Sequence, residues 1–295
     1  MIILLSQSIF QYFFKNIVAI VFICYYYYEG VFLTKCCFIA KTQFRKQLIN
    51  YKIFYFMFQQ NNSSFISSTS SSTYDSALRD YMATVYKHMS IALIVSGLVS
   101  FFLSQSPALM QAIFGTPLKW LAIFAPLALV LFVSFKFNSL TSSQIRTFLY
   151  VYAGAIGISL SSIFLIYTAQ SIVRIFFITS STFGLMSLYG YTTKKDLTSF
   201  GSFLMMGVIG IVIASLVNIF LKSNGLQLMI SIIAVFVFIG LIAYDTQKIK
   251  ENYFQFAHSD AEQVNKIALW GALSLYMDFI NLFVHLLQLF GDRKN

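Results

Sequence analysis

Apolar residues in this chain come in long blocks rather than in alternation. Stretches such as "LMISIIAVFVFIGLIAY" (228–244) run without a charge and are separated by short polar segments. Several of these windows approach or exceed the ~20 residues that a helix needs to cross ~30 Å of hydrocarbon. A helix is the form such a block must take there, because it satisfies its own backbone polar groups where no water is available. Seven blocks predict helices over about 86–106, 117–136, 147–168, 173–192, 203–222, 226–248 and 267–290. The short connections predict antiparallel neighbours in one bundle. The chain is therefore expected to be an all-α integral membrane protein, a seven-transmembrane-helix bundle with short loops and the lipid bilayer as its surroundings.

Composition agrees with the pattern: 58% of the 295 residues are hydrophobic, 10% are charged and the mean hydropathy is +0.74. Soluble domains carry roughly 25% charged residues, so that class is excluded. The net charge of +10 invites a nucleic-acid reading, but the Lys and Arg residues fall between apolar blocks instead of clustering on a polar domain, and no nucleic-acid partner is expected. Their distribution predicts orientation instead. Arg79, Lys87, Lys136, Arg146, Lys194, Lys195, Lys248, Lys250 and Lys266 fall on the side where the first core helix starts, against Lys119, Arg174, Lys222, Arg293 and Lys294 on the other. That bias puts the start of the core in the cytoplasm and the C-terminus outside.

The first 58 residues differ from the rest. They are rich in Phe, Tyr, Ile and Lys, hold all three cysteines (Cys24, Cys36, Cys37), and have apolar windows broken by Lys15, Glu29 and Lys35. Two readings stand: an N-terminal extension with an additional hydrophobic anchor or uncleaved signal, or translated upstream DNA with Met57 as the true start. Residues 59–78, with the tract "NNSSFISSTSSSTYDS", are too polar to bury much apolar surface and are expected to form a tail or linker. The membrane domain is expected over 79–295. With the cysteines confined to the extension, the domain has neither a disulfide framework nor a cysteine zinc site.

Small residues recur at helical spacing on two spans, Gly207, Gly210, Ala214 and Asn218 on the fifth and Gly154, Gly157 and Ser161 on the third. These are expected to be helix contact faces, because small residues let backbones approach closely in lipid.

Two acids stand out against this background. Asp245 lies near the end of the sixth block and Asp278 in the seventh, 33 residues apart, with their midpoint in the polar turn "HSDAEQ". In an antiparallel hairpin, positions equidistant from the turn lie at one depth, so the two carboxylates are expected to meet inside the membrane. On the seventh span Gly271, Ser274, Asp278, Asn281 and His285 follow steps of three and four, which place them on one face. Lipid does not tolerate that face, so it is expected to look into the bundle or a wet cavity. Two carboxylates sharing such a site cannot both ionise cheaply, and near neutrality the pair is expected to hold one shared proton and titrate as a unit. Ser274, Asn281, His285 and Asn218 are candidate pore-facing polar residues. For His285 and Asn218 a hydrogen-bonded structural role is the plainer expectation.

Acids on the sixth and seventh helices also suit an intramembrane aspartyl protease, but that class carries Gly-x-Gly-Asp at its second acid, where this chain has "LYMDF". A retinal protein needs a Lys in the last span, and a rhomboid-type protease needs a Gly-x-Ser-x-Gly-like element; neither is found. A non-enzymatic role is expected.

The segments "AYDTQKI" and "ALSLYMDFINLFVHLLQLFG" resemble the Bax inhibitor-1 family, as do "YGYTTKKDLTSFGSFL", "NIFL" and "YAGAIGISLSSIFLIYT", which look like its bacterial branch. The resemblance covers roughly Arg79 to Gly291. It implies a pH-sensitive calcium leak in which two aspartates, matched here by Asp245 and Asp278, form a dyad that closes a central pore when it shares a proton. Calcium is then the transported ion, and carboxylate oxygens suit so hard a cation, with Asp245 and Asp278 as its candidate step. Some bacterial members add an Arg near the end of the second span that locks onto the dyad; Lys136, or else Arg146, is the nearest counterpart here. The bacterial branch implies the inner (plasma) membrane. Since eukaryotic relatives suppress cell death and bacterial ones are associated with membrane-protein quality control, a non-conducting regulator that binds other membrane proteins is the alternative. No cofactor is expected.

Overall fold

The structure, a computed structural model, describes residues 71–136, 139–257 and 259–294. The expectations for residues 1–58 lie outside the described residues, as does the tract from 59 to 70.

Every extended element among the described residues is a helix. They are α1 (Ser71–Ser104), α2 (Pro107–Phe114), α3 (Leu118–Lys136), α4 (Ser142–Leu160), α5 (Ile163–Ile166), α6 (Ala169–Thr192), α7 (Thr198–Leu221), α8 (Asn224–Phe256) and α9 (Ala261–Phe290). Six spans are long and apolar enough to cross a membrane, with α4 and α5 counted as one, and there are seven if α2 and α3 form one span bent by 90°. The expected seven-span bundle is thus present, with its second span broken.

Three boundaries differ from those the hydropathy suggested, for one physical reason. Helix α1 begins at Ser71, not near 86, because Leu78, Tyr81, Met82, Val85 and Met89 bury one stripe against the bundle. Packing of such a stripe holds a helix where apolarity alone would not announce one. Likewise α8 runs to Phe256 and α9 starts at Ala261, beyond the apolar blocks at both sides of their turn. Tyr253, buried against the Tyr81 ring at 5.0 Å, belongs to that extension.

Helix α9 occupies the centre. Every residue from Ala268 to Leu287 is buried, and α8, α1, α6 and α4 surround it. The outer helices turn large apolar side chains outward, among them Leu185, Phe203, Phe220 and Phe236, each more than 60% exposed. So wide an apolar exterior is what a hydrocarbon surrounding requires.

Close approach depends on a few glycines. A Cβ on Gly157 would come within 2.7 Å of the Ser96 carbonyl oxygen, joining α4 to α1, and one on Gly207 within 3.0 Å of Val237. Ser161 is also fully buried. The expectation fails at Gly154 and Gly210, which meet nothing within 4 Å: helical spacing marked a line along each helix, and the crossing touches only part of it. The tightest approaches were not foreseen. A Cβ on Gly190 of α6 would lie 2.2 Å from the Ala243 oxygen, and one on Gly201 of α7 would lie 2.3 Å from the Tyr244 ring.

Both ends of the bundle are tied. At the α1-start end, Gln247 accepts from the Leu197 N–H (2.8 Å) and donates to the Lys195 carbonyl (2.7 Å), clamping the α6–α7 turn to α8. In that turn Asp196 accepts from the Thr198 N–H at 2.8 Å, which with the Thr198 hydroxyl holds its carboxyl below the usual carboxylate range. Glu262, opening α9, accepts from the backbone N–H and hydroxyl of Ser142 at the α4 N-terminus (2.6 and 2.7 Å). At the far end Asp292 takes Arg174 at 2.9 Å, and the C-terminal tail pairs with the α5–α6 junction through Tyr167 and Arg293.

Candidate functional site

Asp245 and Asp278 are both buried, at 3% and 0% exposure. Asp245 accepts a short hydrogen bond from the Ser274 hydroxyl, which joins α8 to α9 one turn from Asp278. The relative register of the two helices is visible elsewhere along the same seam. The Phe238 ring stacks on the His285 ring at 5.9 Å, and Gly271 meets Ile249. The Ser274–Asp245 and Ser231–Gln288 hydrogen bonds set residue 245 opposite residue 274, with Asp278 one turn farther along α9, whereas the Phe238–His285 stack sets it nearer 278. Asp245 and Asp278 thus lie about one helical turn apart along the seam. They are 11 and 17 residues from the ends of α8 and α9 at their shared turn, so the equal depth expected from the midpoint between them is not kept.

The acids sit beside two close helix contacts. Gly190 against Ala243 and Gly201 against Tyr244 bring α6 and α7 onto α8 at the two positions preceding Asp245. On the next residue, the Thr246 hydroxyl donates to the Ile242 carbonyl at 2.7 Å and is 3.0 Å from the Ser187 hydroxyl, which in turn meets Tyr86 of α1. Beside Asp278, the Tyr152 hydroxyl of α4 donates to the Met277 sulfur at 2.7 Å, and the Tyr152 and Tyr276 rings meet edge to face. Hydroxyls and aromatic rings from α1, α4 and α6 thus pack on the residues next to Asp245 and Asp278 in the chain.

The stripe expected on α9 is present and longer than foreseen. Ser274, Asn281 and His285 are buried with Asp278, and Asn281 donates to the Met277 carbonyl at 2.8 Å. Gln288 continues the same steps, and the spacing from His285 could have revealed it. Its side-chain oxygen accepts from Ser231 (2.7 Å) and Gln227 (3.2 Å) of α8. Gln227 accepts in turn from Asn218 at 3.0 Å, whose own oxygen takes the Ser223 N–H at 3.1 Å. Asn218 therefore ties the α7–α8 turn, where Lys222 adopts a left-handed φ of 48°. That is the plainer of the two roles expected for it.

Neither candidate lock is brought to the acids. Lys136 is exposed and lies 5.1 Å from the Phe132 ring, and Arg146 is exposed on α4. Among the described residues no Lys or Arg is buried at all. No group of three or more His, Cys, Asp and Glu side chains among the described residues could hold a metal. Two carboxylates with Ser274 supply fewer oxygens than the six to eight that calcium takes.

Comparisons with known proteins agree with the motifs. The profile of the family described as inhibitor of apoptosis-promoting Bax1 matches residues 78–295. The uncharacterized protein RP147 of Rickettsia prowazekii is 45% identical over 223 residues, 76% of this chain and 94% of its own length. The inner membrane protein YbhL of Escherichia coli K12 is 44% identical over 218 residues, 74% of this chain and 93% of its own. The uncharacterized membrane protein SpyM3_0260 of Streptococcus pyogenes is 33% identical over 220 residues, 74% of this chain and 94% of its own.

Proposed function

The chain belongs to the Bax inhibitor-1 family, and from that premise we propose that this membrane protein is a cation leak, with calcium as the ion, whose closure depends on Asp245 and Asp278. The observation that carries the reading is the buried hydrogen bond from Ser274 to Asp245 between α8 and α9, one turn from Asp278. With one proton between them, the two acids hold α8 to α9. Removing that proton leaves two like charges in a low-dielectric seam, and adding a second replaces the charge-assisted hydrogen bond by a weaker one between neutral carboxyls. Each change loosens the same seam, so the leak is smallest in the pH window where the pair holds one proton and grows on either side of it. Titratable side chains on neighbouring residues are Tyr86 of α1, which reaches Thr246 through Ser187, Tyr152 of α4, on Met277, and Tyr276 of α9, with His285 two turns along α9.

The name of the Escherichia coli relative supports an inner-membrane location, and the Lys and Arg bias supports a cytoplasmic start of the core. We assign no reaction to the protein. The second reading is a non-conducting regulator that binds other membrane proteins. In its favour, the Ser274–Asp245 and Asn281–Met277 bonds are also what a purely structural core would make.

Purified full-length protein in liposomes loaded with a calcium indicator separates the two. Conduction predicts a leak that varies with pH. In Asp278→Asn the amide keeps a hydrogen-bond donor to Asp245 but cannot ionise, so the leak stays low and the pH response flattens. A leak indifferent both to pH and to this substitution would remove the acids from the mechanism. No leak at any pH would favour the regulator.

A further inference from the structure

Along the α8–α9 seam two polar layers are separated by one aromatic ring. The acid layer comprises Asp245, Ser274 and Asp278. The second layer, near the far end, comprises the linked side chains of Gln288, Ser231, Gln227 and Asn218. On α9 the polar stripe is continuous between them, through Asn281 and His285. On α8 it is not: between Asp245 and Ser231 the buried residues include Ala234, Leu241 and Ile242, and Phe238, fully buried, stacks on His285 with the rings 21° from parallel.

We propose that Phe238 is the stopper of the route, its ring on His285 sealing the acid layer from the amide layer. The inference rests on the conducting reading given above and adds a second barrier to it. A hydrated cation can exchange water for carboxylate or carboxamide oxygens at either layer, but an aromatic ring filling the gap offers it none, and a dry apolar constriction blocks ions without any charge. The two barriers have separate jobs. The acids set when the seam loosens, and the ring keeps the seam dry while it is tight. His285 contributes a flat partner that holds the ring across the route. The far-end amides hold α8 and α9 in the register that keeps ring on ring.

The test uses full-length protein with Phe238→Ala and Phe238→Leu, each first checked for a monodisperse, helical state in detergent. In calcium-loaded liposomes at the pH where the unsubstituted protein leaks least, Phe238→Ala is expected to leak about tenfold faster or more, because the apolar constriction that gates by dewetting is removed. Phe238→Leu, still apolar and space-filling, is expected to stay near the original rate. A folded Phe238→Ala protein leaking no faster than the original overturns the proposal. Labelling provides a readout that does not need conduction. With Cys24, Cys36 and Cys37 changed to Ser, Asn281→Cys is expected to react with a water-soluble thiol reagent applied at the far end only when Phe238 is Ala. Equal labelling with Phe238 intact overturns the stopper. If the unsubstituted protein shows no pH-dependent leak, the conducting reading falls while the labelling result still decides whether the ring seals the seam.

Discussion

Gly190 and Gly154 are both interior glycines of apolar helices, yet they should respond oppositely to the same added methyl group. At Gly190 the new Cβ would lie 2.2 Å from the Ala243 carbonyl oxygen and 2.9 Å from its Cα, and backbone cannot swing aside. Gly190→Ala must therefore push α6 off α8 beside Asp245, and a loss of roughly 1–3 kcal/mol is expected, as for other overpacked sites. At Gly154 nothing lies within 4 Å, so Gly154→Ala should gain up to about 1 kcal/mol from helix propensity alone. Thermal unfolding in detergent checks both, and a Gly190→Ala protein as stable as the original would mean that this close contact gives way. Residue by residue, the sequence showed what was chemically rare. Asp245 and Asp278 were conspicuous because acids are scarce in apolar blocks, and Ser274, Asn281 and His285 because their steps share a face. Phe238 was invisible, being one of 33 phenylalanines whose sequence carries no sign of which ring faces lipid and which fills the core.

At the scale of elements, hydropathy found the spans but not their ends, since it registers what suits lipid and not what packs on another helix. The last turns of α8 illustrate this. They lie past the apolar block, and Gln247 clamps them by taking the Leu197 N–H and giving to the Lys195 carbonyl. Leu197 and Gln247 are both buried, so Gln247→Ala strands backbone groups that water reaches poorly. An unsatisfied buried group costs about 1–3 kcal/mol, and here the cost falls on the turn and not on the bundle. Hydrogen exchange should thus quicken in the segment around 193–201 while the Ala268–Leu287 stretch of α9 keeps its protection. Equal acceleration in both would show that the turn and the core open as one unit. The centrality of α9 was equally hidden. Its Leu and Phe residues look fit for lipid, and only the arrangement of α1, α4, α6 and α8 around it shows that they face protein.

For the whole molecule, the helix reversals sort the cations onto two ends. Arg146, Lys194, Lys195 and Lys266 lie near the helix ends on the α1-start side, while Lys119, Arg174, Lys222 and Lys294 lie near those on the other. Part of the second set is neutralised or tied: Arg174 pairs with Asp292, and Lys294 donates to the Phe164 carbonyl at 2.7 Å. Lys250 is tied likewise at the α1-start side, to the Tyr191 carbonyl at 2.9 Å, so the expected cytoplasmic α1 start rests on the numbers of Lys and Arg at the two ends. Two exposed positions report on it, Gln105 in the α1–α2 turn at the far end and Lys194 in the α6–α7 turn. In a chain whose three native cysteines are changed to Ser, Gln105→Cys should be labelled in intact cells by a membrane-impermeant thiol reagent. Lys194→Cys should be labelled only after the membrane is opened. The reverse pattern would invert the molecule, and Asp245, 11 residues from the α1-start end of α8, and Asp278, 12 residues from the far end of α9, would exchange the compartments they lie nearer to.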